Sequence, residues 1–269
     1  MNRDDYRAAM DVIPFHADFQ QKTINKLTAA AQEIRKESNK MNLKRMTRTI
    51  PIVAVLVIVL SITAFAAVYL LRPSDVASEL DDATLSQAFE GENAVLINKS
   101  VESDNCVITL AGIVSGSGLS DFSQDVDVSR TYAVVSLRQS DGTPYEETPT
   151  STVATPLVSG YAPRAVNAWT LGGGYSSFVK DGVAYFLFDY QSLEMFADHT
   201  VYLAVYQGSV PSNESFTMSA DGTISFTDSY KGPHALFTLP MDESKADPAA
   251  VTKYFHEKGI DELINPTVN

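Results

Sequence analysis

The sequence predicts a mainly β protein: an extracytoplasmic antiparallel β-sandwich with flanking helices, plus one transmembrane helix and a short cytoplasmic amphipathic helix. Short runs rich in Val, Ile, Phe, Tyr and Thr recur from residue 94 onward, as they do in strands. Asp-Gly pairs separate some of these runs, and one long apolar run precedes them all. These observations divide the chain into a cytoplasmic head (1–49), a transmembrane helix (50–71), a juxtamembrane helix or linker (72–93) and an extracytoplasmic β domain (94–269).

The apolar run at residues 50–71 has 22 residues and no charged side chain. A helix of that length spans about 33 Å at about 1.5 Å per residue, which matches a hydrocarbon core of about 30 Å. Residues 31–49 hold six Lys and Arg, whereas residues 72–90 hold one Arg and five Asp and Glu. The positive-inside rule therefore predicts a single-pass protein of the cell membrane, with a cytoplasmic N-terminus and the C-terminal part outside.

A signal peptide is the alternative for the same run, because Ala64-Phe65-Ala66 matches a small-x-small cleavage site. A leader of 49 residues before the apolar run is much longer than an ordinary n-region. The apolar run also continues beyond the site. We therefore favour an uncleaved anchor, with cleavage near Ala66 as the alternative.

Charge separates the two sides of the run. Residues 1–49 carry ten Lys and Arg and six Asp and Glu, a net charge of +4; the remaining residues carry ten and 27, a net charge of −17. Nucleic acid is a poor direct partner for the acidic part, because phosphate contacts need clustered basic side chains. A single cysteine, Cys106, rules out an intrachain disulfide.

The cytoplasmic head contains one apolar helical stripe. Ile24, Leu27, Ala31 and Ile34 recur at spacings of three, four and seven residues, which places them on one helix face. A segment of 49 residues can barely build a core of its own. The stripe is therefore a candidate binding site for a partner protein, the membrane surface or a second copy of the chain.

Two helices are predicted to flank the strands. In the juxtamembrane segment Ser74 is the predicted N-cap, with Asp75 in the first turn. Near the C-terminus Asp247 is the predicted cap of a helix that begins at Pro248 and ends at Gly259. Between the helices we predict eight or nine strands, with tight turns at Asp181-Gly182 and Asp221-Gly222. The apolar residues predicted to pack are Val76, Leu80 and Phe89 in the first helix, Met195 and Phe196 at the sandwich end, and Val251, Tyr254 and Phe255 in the last helix.

No catalytic, cofactor or metal site is predicted, and no enzyme activity. The outer histidines lack a metal-ligand spacing such as H-x-x-x-H, and no glycine motif would hold a phosphate. The three carboxylates of "DFSQDVDVSR" favour a solvated loop over a calcium loop. "GSGLS" is not a nucleophile elbow. These excluded candidates are the histidines His199, His234 and His256, the carboxylates Asp121, Asp125 and Asp127, and the serines Ser115, Ser117 and Ser120.

One loop is a candidate ligand site. "WTLGGGYSS" joins the only tryptophan, Trp169, to Gly172, Gly173 and Gly174. An aromatic side chain beside a glycine run favours two interpretations: a loop that binds a ligand, or a loop with one anchoring side chain. We favour the loop with one anchoring side chain, with the ligand-binding loop as the alternative.

Several segments resemble one bacterial family. "LRPSDVASEL", "LSQAFEGENAVLINKS", "VITLAGIVSGSGLSDF", "RTYAVVSLRQSDGTP" and "SLEMFADHTVYLAV" resemble single-pass proteins with a short basic cytoplasmic head and an extracytoplasmic β domain of unknown function. Their layout is similar to that of membrane anti-sigma factors, so the resemblance implies a cytoplasmic sigma factor as partner. The chain departs from the zinc-binding anti-sigma pattern, because its head contains His16 but no cysteine.

Two functions therefore follow as expectations. The first is a signalling regulator that links the outer β domain, as a sensor of an extracytoplasmic ligand or protein, to a cytoplasmic partner. The second is a membrane-anchored surface binding module with no cytoplasmic signalling role.

Overall fold

The computed structural model describes residues 70–115 and 129–260, which form two antiparallel sheets, a small third sheet and short helices. The predicted mainly β, antiparallel class is confirmed. The helices are α1 (Pro73–Glu79), α2 (Ala83–Ala88) and α3 (Pro248–Lys258). The strands are β1 (Ala94–Ser103), β2 (Cys106–Ser115), β3 (Arg130–Gln139), β4 (Thr152–Val158), β5 (Gly174–Lys180), β6 (Val183–Gln191), β7 (Val201–Gln207), β8 (Phe216–Met218), β9 (Ile224–Phe226) and β10 (His234–Thr238).

The main core lies between a five-stranded sheet, ordered β1-β2-β3-β6-β5, and a three-stranded sheet, ordered β10-β7-β4. Alternate residues of both sheets enter one apolar cluster, as the two-residue period of a strand requires. From β6 this cluster takes Phe186, Phe188 and Tyr190; from β7 it takes Leu203 and Val205. The predicted sandwich core is therefore shared by both sheets.

Helices α1 and α2 cover the outer face of the five-stranded sheet. Val76, Leu85 and Phe89 pack there against the alternate β6 residues Tyr185 and Leu187. The sheet is thus buried on both faces, which explains why "VAYFLFDY" is apolar almost throughout instead of alternating. The segment predicted as a helix or linker at 72–93 is two short helices fixed to the sheet, followed by a turn.

The predicted cap at Ser74 is wrong. The first helix begins two residues earlier than predicted, at Pro73, and Arg72 occupies the cap position, where its backbone N–H donates to the Asp75 carboxylate. Proline is tolerated at the first helical position because its missing N–H would have had no partner there. Ser74 is buried, and its hydroxyl bonds to Glu90.

The C-terminal helix agrees with its predicted boundaries. Asp247 accepts a hydrogen bond from the Ala250 N–H, Pro248 opens the helix, and Gly259 ends it with a φ of 63°. The predicted apolar face is confirmed as core, because Val251, Tyr254, Phe255, Met195 and Phe196 all lie in the main cluster.

The Asp181-Gly182 hairpin is confirmed, with both residues at positive φ and Lys180 paired with Val183. At Asp221-Gly222 the hairpin exists but its loop is longer than predicted, since Met218 pairs with Ile224. The hairpin between β1 and β2 was not predicted. Its two-residue loop, Asp104-Asn105, also takes positive φ at both positions, as a type I′ turn does.

The predicted cytoplasmic head and nearly all of the predicted membrane span lie outside the described residues, as do Asp121, Asp125 and Asp127. Within residues 70–115 and 129–260, no helix has the length and apolar character needed to cross a bilayer. Leu70 and Leu71, the last residues of the predicted span, are not helical. They pack against the cluster formed by α1, α2 and the sheet.

Candidate binding groove

A groove of about 350 Å³ opens where the edge strands β4 and β5 of the two sheets meet. One wall is the loop between β4 and β5, and the other is the loop that follows β7. The floor is formed by core-facing residues of β4 and β6. Its lining is Thr152, Val153, Ala154, Thr155, Ala168, Trp169, Gly173, Gly174, Tyr175, Phe188, Tyr190, Ser209, Val210 and Pro211.

Asn167 organises the first wall. Its side-chain oxygen accepts hydrogen bonds from the backbone N–H groups of Trp169 and Thr170 at 2.9 and 3.2 Å, and its amide donates to the carbonyls of Pro163 and Arg164. The Thr170 hydroxyl in turn accepts from the Asn167 N–H at 3.0 Å. This reciprocal pair is a capping box around one helical turn. Asn167 itself is buried.

Glycine is favoured where this turn ends, at residues 172–174, because a side chain there would be strained or crowded. Gly172 has a φ of +58°, which side chains with a Cβ rarely adopt. A Cβ on Gly173 would lie 2.9 Å from the Ala168 carbonyl oxygen and 3.0 Å from the Tyr190 ring. A Cβ on Gly174 would lie 2.9 Å from the Asp189 carboxylate. The run therefore lets the backbone pass against the floor of the groove.

Three large apolar side chains at the groove are exposed: Trp169 at 79%, Tyr175 at 61% and Val210 at 51%. The interpretation of Trp169 as the anchor of its loop is wrong, because Asn167 holds the loop and the indole faces solvent. The structure thus brings Trp169, Gly173 and Gly174 of the predicted ligand loop to the groove. Gly172 does not line the groove.

Phe188 and Tyr190, which lie at the floor, belong to an aromatic ladder on β6. The rings of Phe186, Phe188 and Tyr190 lie nearly parallel along one face of β6, with centroid separations of 5.6 and 6.4 Å. The Tyr175 ring lies against Phe188 at 5.7 Å. The Tyr190 hydroxyl donates to the Ala154 carbonyl at 2.8 Å. Burial raises the pKa of Tyr190 well above its ordinary value, so this donor stays neutral.

The second wall is also tied to the sheet. The Tyr206 hydroxyl donates to the Ser209 carbonyl at 2.6 Å, and the Gly208 N–H bonds to the Ser151 carbonyl at 2.9 Å. These contacts lie directly before Val210 and Pro211. Both walls of the groove are therefore held by hydrogen bonds, which is the preorganisation expected of a binding surface.

The groove is uncharged. None of the residues lining it is Asp, Glu, Lys, Arg or His. An ion pair beside the glycine run joins Arg130 to Asp189, and Arg130 also donates to the Gly172 carbonyl at 2.8 Å. Both charges are thus used within the fold. The groove offers ring faces and methyl groups as its main recognition surface.

Within the part of the chain that the structure describes, the remaining sequence candidates form no comparable site. Ser115 bonds to Thr131, His199 to the Ser159 carbonyl, and Cys106 to the Tyr145 hydroxyl. Burial raises the pKa of the Cys106 thiol. Across residues 70–115 and 129–260 no group of three or more His, Cys, Asp or Glu side chains is arranged to hold a metal ion. The predicted partner stripe, Ile24, Leu27, Ala31 and Ile34, lies outside the described residues, as do Ser117 and Ser120.

Two parts of the groove escaped the sequence analysis. Strand β4 was not predicted, because Pro156 lies within it and proline argues against a strand. Val210 and Pro211 carry no motif. The Asn-x-x-Thr capping box at 167–170 was a usable signal for the first wall. No family model, curated protein or solved structure matches the chain.

Proposed function

We propose that the chain is a single-pass membrane signalling regulator, similar in layout to anti-sigma factors, in which the β domain binds an extracytoplasmic ligand and the basic head binds a cytoplasmic protein. The observation that carries a binding role is the groove. Exposed aromatic side chains on hydrogen-bonded walls form a surface suited to a ligand. The charge division and the apolar run support the membrane placement.

Strand β6 supports a link between the groove and the membrane. Its core face carries Phe188 and Tyr190 to the groove, and its outer face carries Tyr185 and Leu187 to α1 and α2. The Tyr185 hydroxyl accepts a hydrogen bond from the Leu71 N–H at 3.2 Å. One strand therefore connects the groove floor with Leu71, the last residue of the predicted span. If Leu70 and Leu71 are left to the β domain, residues 50–69 still provide the ~20 residues that a span needs.

The proposed role of the head is tested by whether it retains a cytoplasmic partner protein. In the full chain, Leu27→Glu and Ile34→Glu place a charge in the apolar stripe and should release a cytoplasmic protein that the parent chain retains on purification from membranes. Gln32→Glu is the matched control, since it adds the same charge away from the stripe on the helix wheel. A sigma factor among the retained proteins supports the proposal. If the parent chain retains no cytoplasmic protein, the regulator proposal fails.

Membrane orientation is tested by cysteine labelling in intact cells. The native background is low, because Cys106 is the only cysteine, it is buried, and its thiol pKa is raised. Asn213→Cys lies on an exposed loop of the β domain and should react with a membrane-impermeant maleimide. Gln20→Cys in the head should react only after permeabilisation. The reverse pattern would contradict the orientation, and N-terminal sequencing of the outer domain would reveal cleavage near Ala66.

A membrane-anchored surface binding module is the second candidate, and the groove favours it equally, because all lining residues belong to the β domain. Replacing residues 10–40 with an unrelated basic segment separates the two functions. If the chain is a regulator, the replacement should abolish its effect in cells. If the chain is an anchored module, its effect should remain. Ligand binding by the groove should persist in both cases.

A further inference from the structure

We propose that the groove binds an uncharged, proline-rich peptide segment in the polyproline II conformation; this ligand class rests on the proposed binding role of the β domain. Polyproline II segments are recognised in aromatic-lined grooves, where rings and methyl groups contact the peptide. The exposed side chains of Trp169, Tyr175 and Val210 provide such a surface, above the buried Pro211, Phe188 and Tyr190.

Charge complementarity favours a neutral ligand. No ionisable side chain other than tyrosine lines the groove, and the nearby Arg130 and Asp189 are paired with each other. A charged ligand group would lose water there without gaining a partner. The net charge of −17 on residues 50–269 also opposes an anionic ligand.

The groove is poorly suited to a peptide that adds as a β-strand. Hydrogen bonds from Gly208 to Ser151 and from Ser159 to Thr200 flank the β4–β7 ladder. By the alternation of an antiparallel pair, Ala154 and Pro156 therefore turn their backbone groups toward the outer edge of β4. Pro156 has no N–H, and the Ala154 carbonyl is already bonded to Tyr190. A polyproline II segment needs no such ladder, because its backbone makes no regular hydrogen bonds.

Sugar recognition is disfavoured by the polar groups present. Five hydroxyls line the groove, and three of them are used within the fold: Thr152 donates to the Pro149 carbonyl, Thr155 accepts from the Ala168 N–H, and Tyr190 donates to the Ala154 carbonyl. No carboxylate or amide side chain lines the groove. The exposed indole of Trp169 carries one N–H donor, which is the kind of single donor that can accompany ring packing against a peptide.

Trp169 is the only tryptophan of the chain, so its fluorescence reports on the groove alone. The full chain in detergent micelles, which add no tryptophan, is titrated with acetylated and amidated hexaproline up to millimolar concentration. Three probes serve as comparisons: a Gly-Ser hexapeptide, a Thr-Val hexapeptide and an N-acetylglucosamine trimer. We expect a saturable change in Trp169 emission with hexaproline, and binding at least tenfold weaker with each comparison probe.

Variants assign the signal to the groove. Tyr175→Ser removes a ring and Val210→Asp adds a charge; each should weaken hexaproline binding at least tenfold. Both side chains are mostly exposed, so circular dichroism should show an unchanged fold. Leu96→Ser is the matched control, since Leu96 is 59% exposed and lies outside the groove; it should bind like the parent.

The ligand class is overturned if hexaproline produces no saturable change, if the Thr-Val peptide or the trimer binds as tightly, or if Leu96→Ser and Tyr175→Ser lose binding equally. These outcomes are independent of the head. If hexaproline does not bind but the chain retains a cytoplasmic partner, only the proposed ligand class is wrong. Hexaproline binding without such a partner removes the regulator and leaves the anchored module.

Discussion

The two lateral sides of the sandwich, a closed side at β1 and β10 and an open side at β4 and β5, differ in how the sheets meet. At one side β1 and β10 approach each other, and the backbone N–H of His234 donates to the Ser103 hydroxyl at 3.2 Å. At the other side β4 and β5 leave a groove with Trp169, Tyr175 and Val210 exposed. The same two sheets form both sides, so the groove is not a general result of their packing. It arises because two tied loops hold the β4–β5 side open.

The largest expected effect is at the groove floor. Tyr190→Ala should lower the free energy of unfolding by about 3–5 kcal/mol, because it removes a buried ring from the core. Phe237 on β10 is equally buried and lies at the closed side. Phe237→Ala should therefore lower the free energy of unfolding by a similar amount. Urea unfolding followed by circular dichroism measures both. A loss below about 1 kcal/mol at Tyr190 would show that the floor is not part of the core.

The second-largest effect on stability is expected at Asn167, the anchor of the Trp169 loop. Asn167→Ala removes the side-chain bonds to Trp169, Thr170, Pro163 and Arg164, and we expect a loss of about 1–3 kcal/mol in unfolding free energy. The emission of Trp169 should shift at the same time, since the turn that presents it is released. Asn213→Ala, on an exposed loop, is the control and should change stability by less than about 0.5 kcal/mol. Equal effects in the two variants would contradict the anchoring role.

The closed side should respond more weakly. Ser103→Ala removes the acceptor of the His234 N–H and the hydroxyl contact to His234 Nδ1. It should cost about 0.5–1.5 kcal/mol, in the range of an ordinary hydrogen bond, because Nδ1 also lies 2.8 Å from the Gly232 carbonyl. Hexaproline binding should not change, because the groove lies at the opposite side. The neighbouring exposed Glu102 supplies a control, Glu102→Gln. A change in the groove signal with Ser103→Ala would mean that the two sides are coupled.

The smallest stability effect should come from the most exposed groove residue. Trp169→Ala should change the unfolding free energy by less than about 0.5 kcal/mol, because the indole is 79% exposed. Circular dichroism replaces fluorescence as the measurement in this variant. The ligand should nevertheless no longer bind, as measured by calorimetry with hexaproline. A stability loss above about 2 kcal/mol would restore the anchoring interpretation of this side chain.

The elements that the sequence predicted correctly carry local signals. The Asp181-Gly182 hairpin and the Asp247–Gly259 boundaries of α3 depend on residues that favour particular backbone angles or caps. β4 was missed because Pro156 is acceptable only on an edge strand, and edge position depends on pairing with distant β7. The groove depends on the same long-range pairing, which explains why only its Trp169 loop was found.

By itself, the sequence determines the charge division at residues 50–71, the β-rich composition from residue 94, and the caps and turns that bound several elements. These follow from local hydrophobic pattern and backbone preference. Tertiary structure decides that Asn167 is the anchor while Trp169 faces solvent, and that β4 and β5 lie side by side without closing. Exposure and neighbourhood are set by contacts between residues far apart in the chain, such as Tyr190 with Ala154, and no local pattern encodes such contacts.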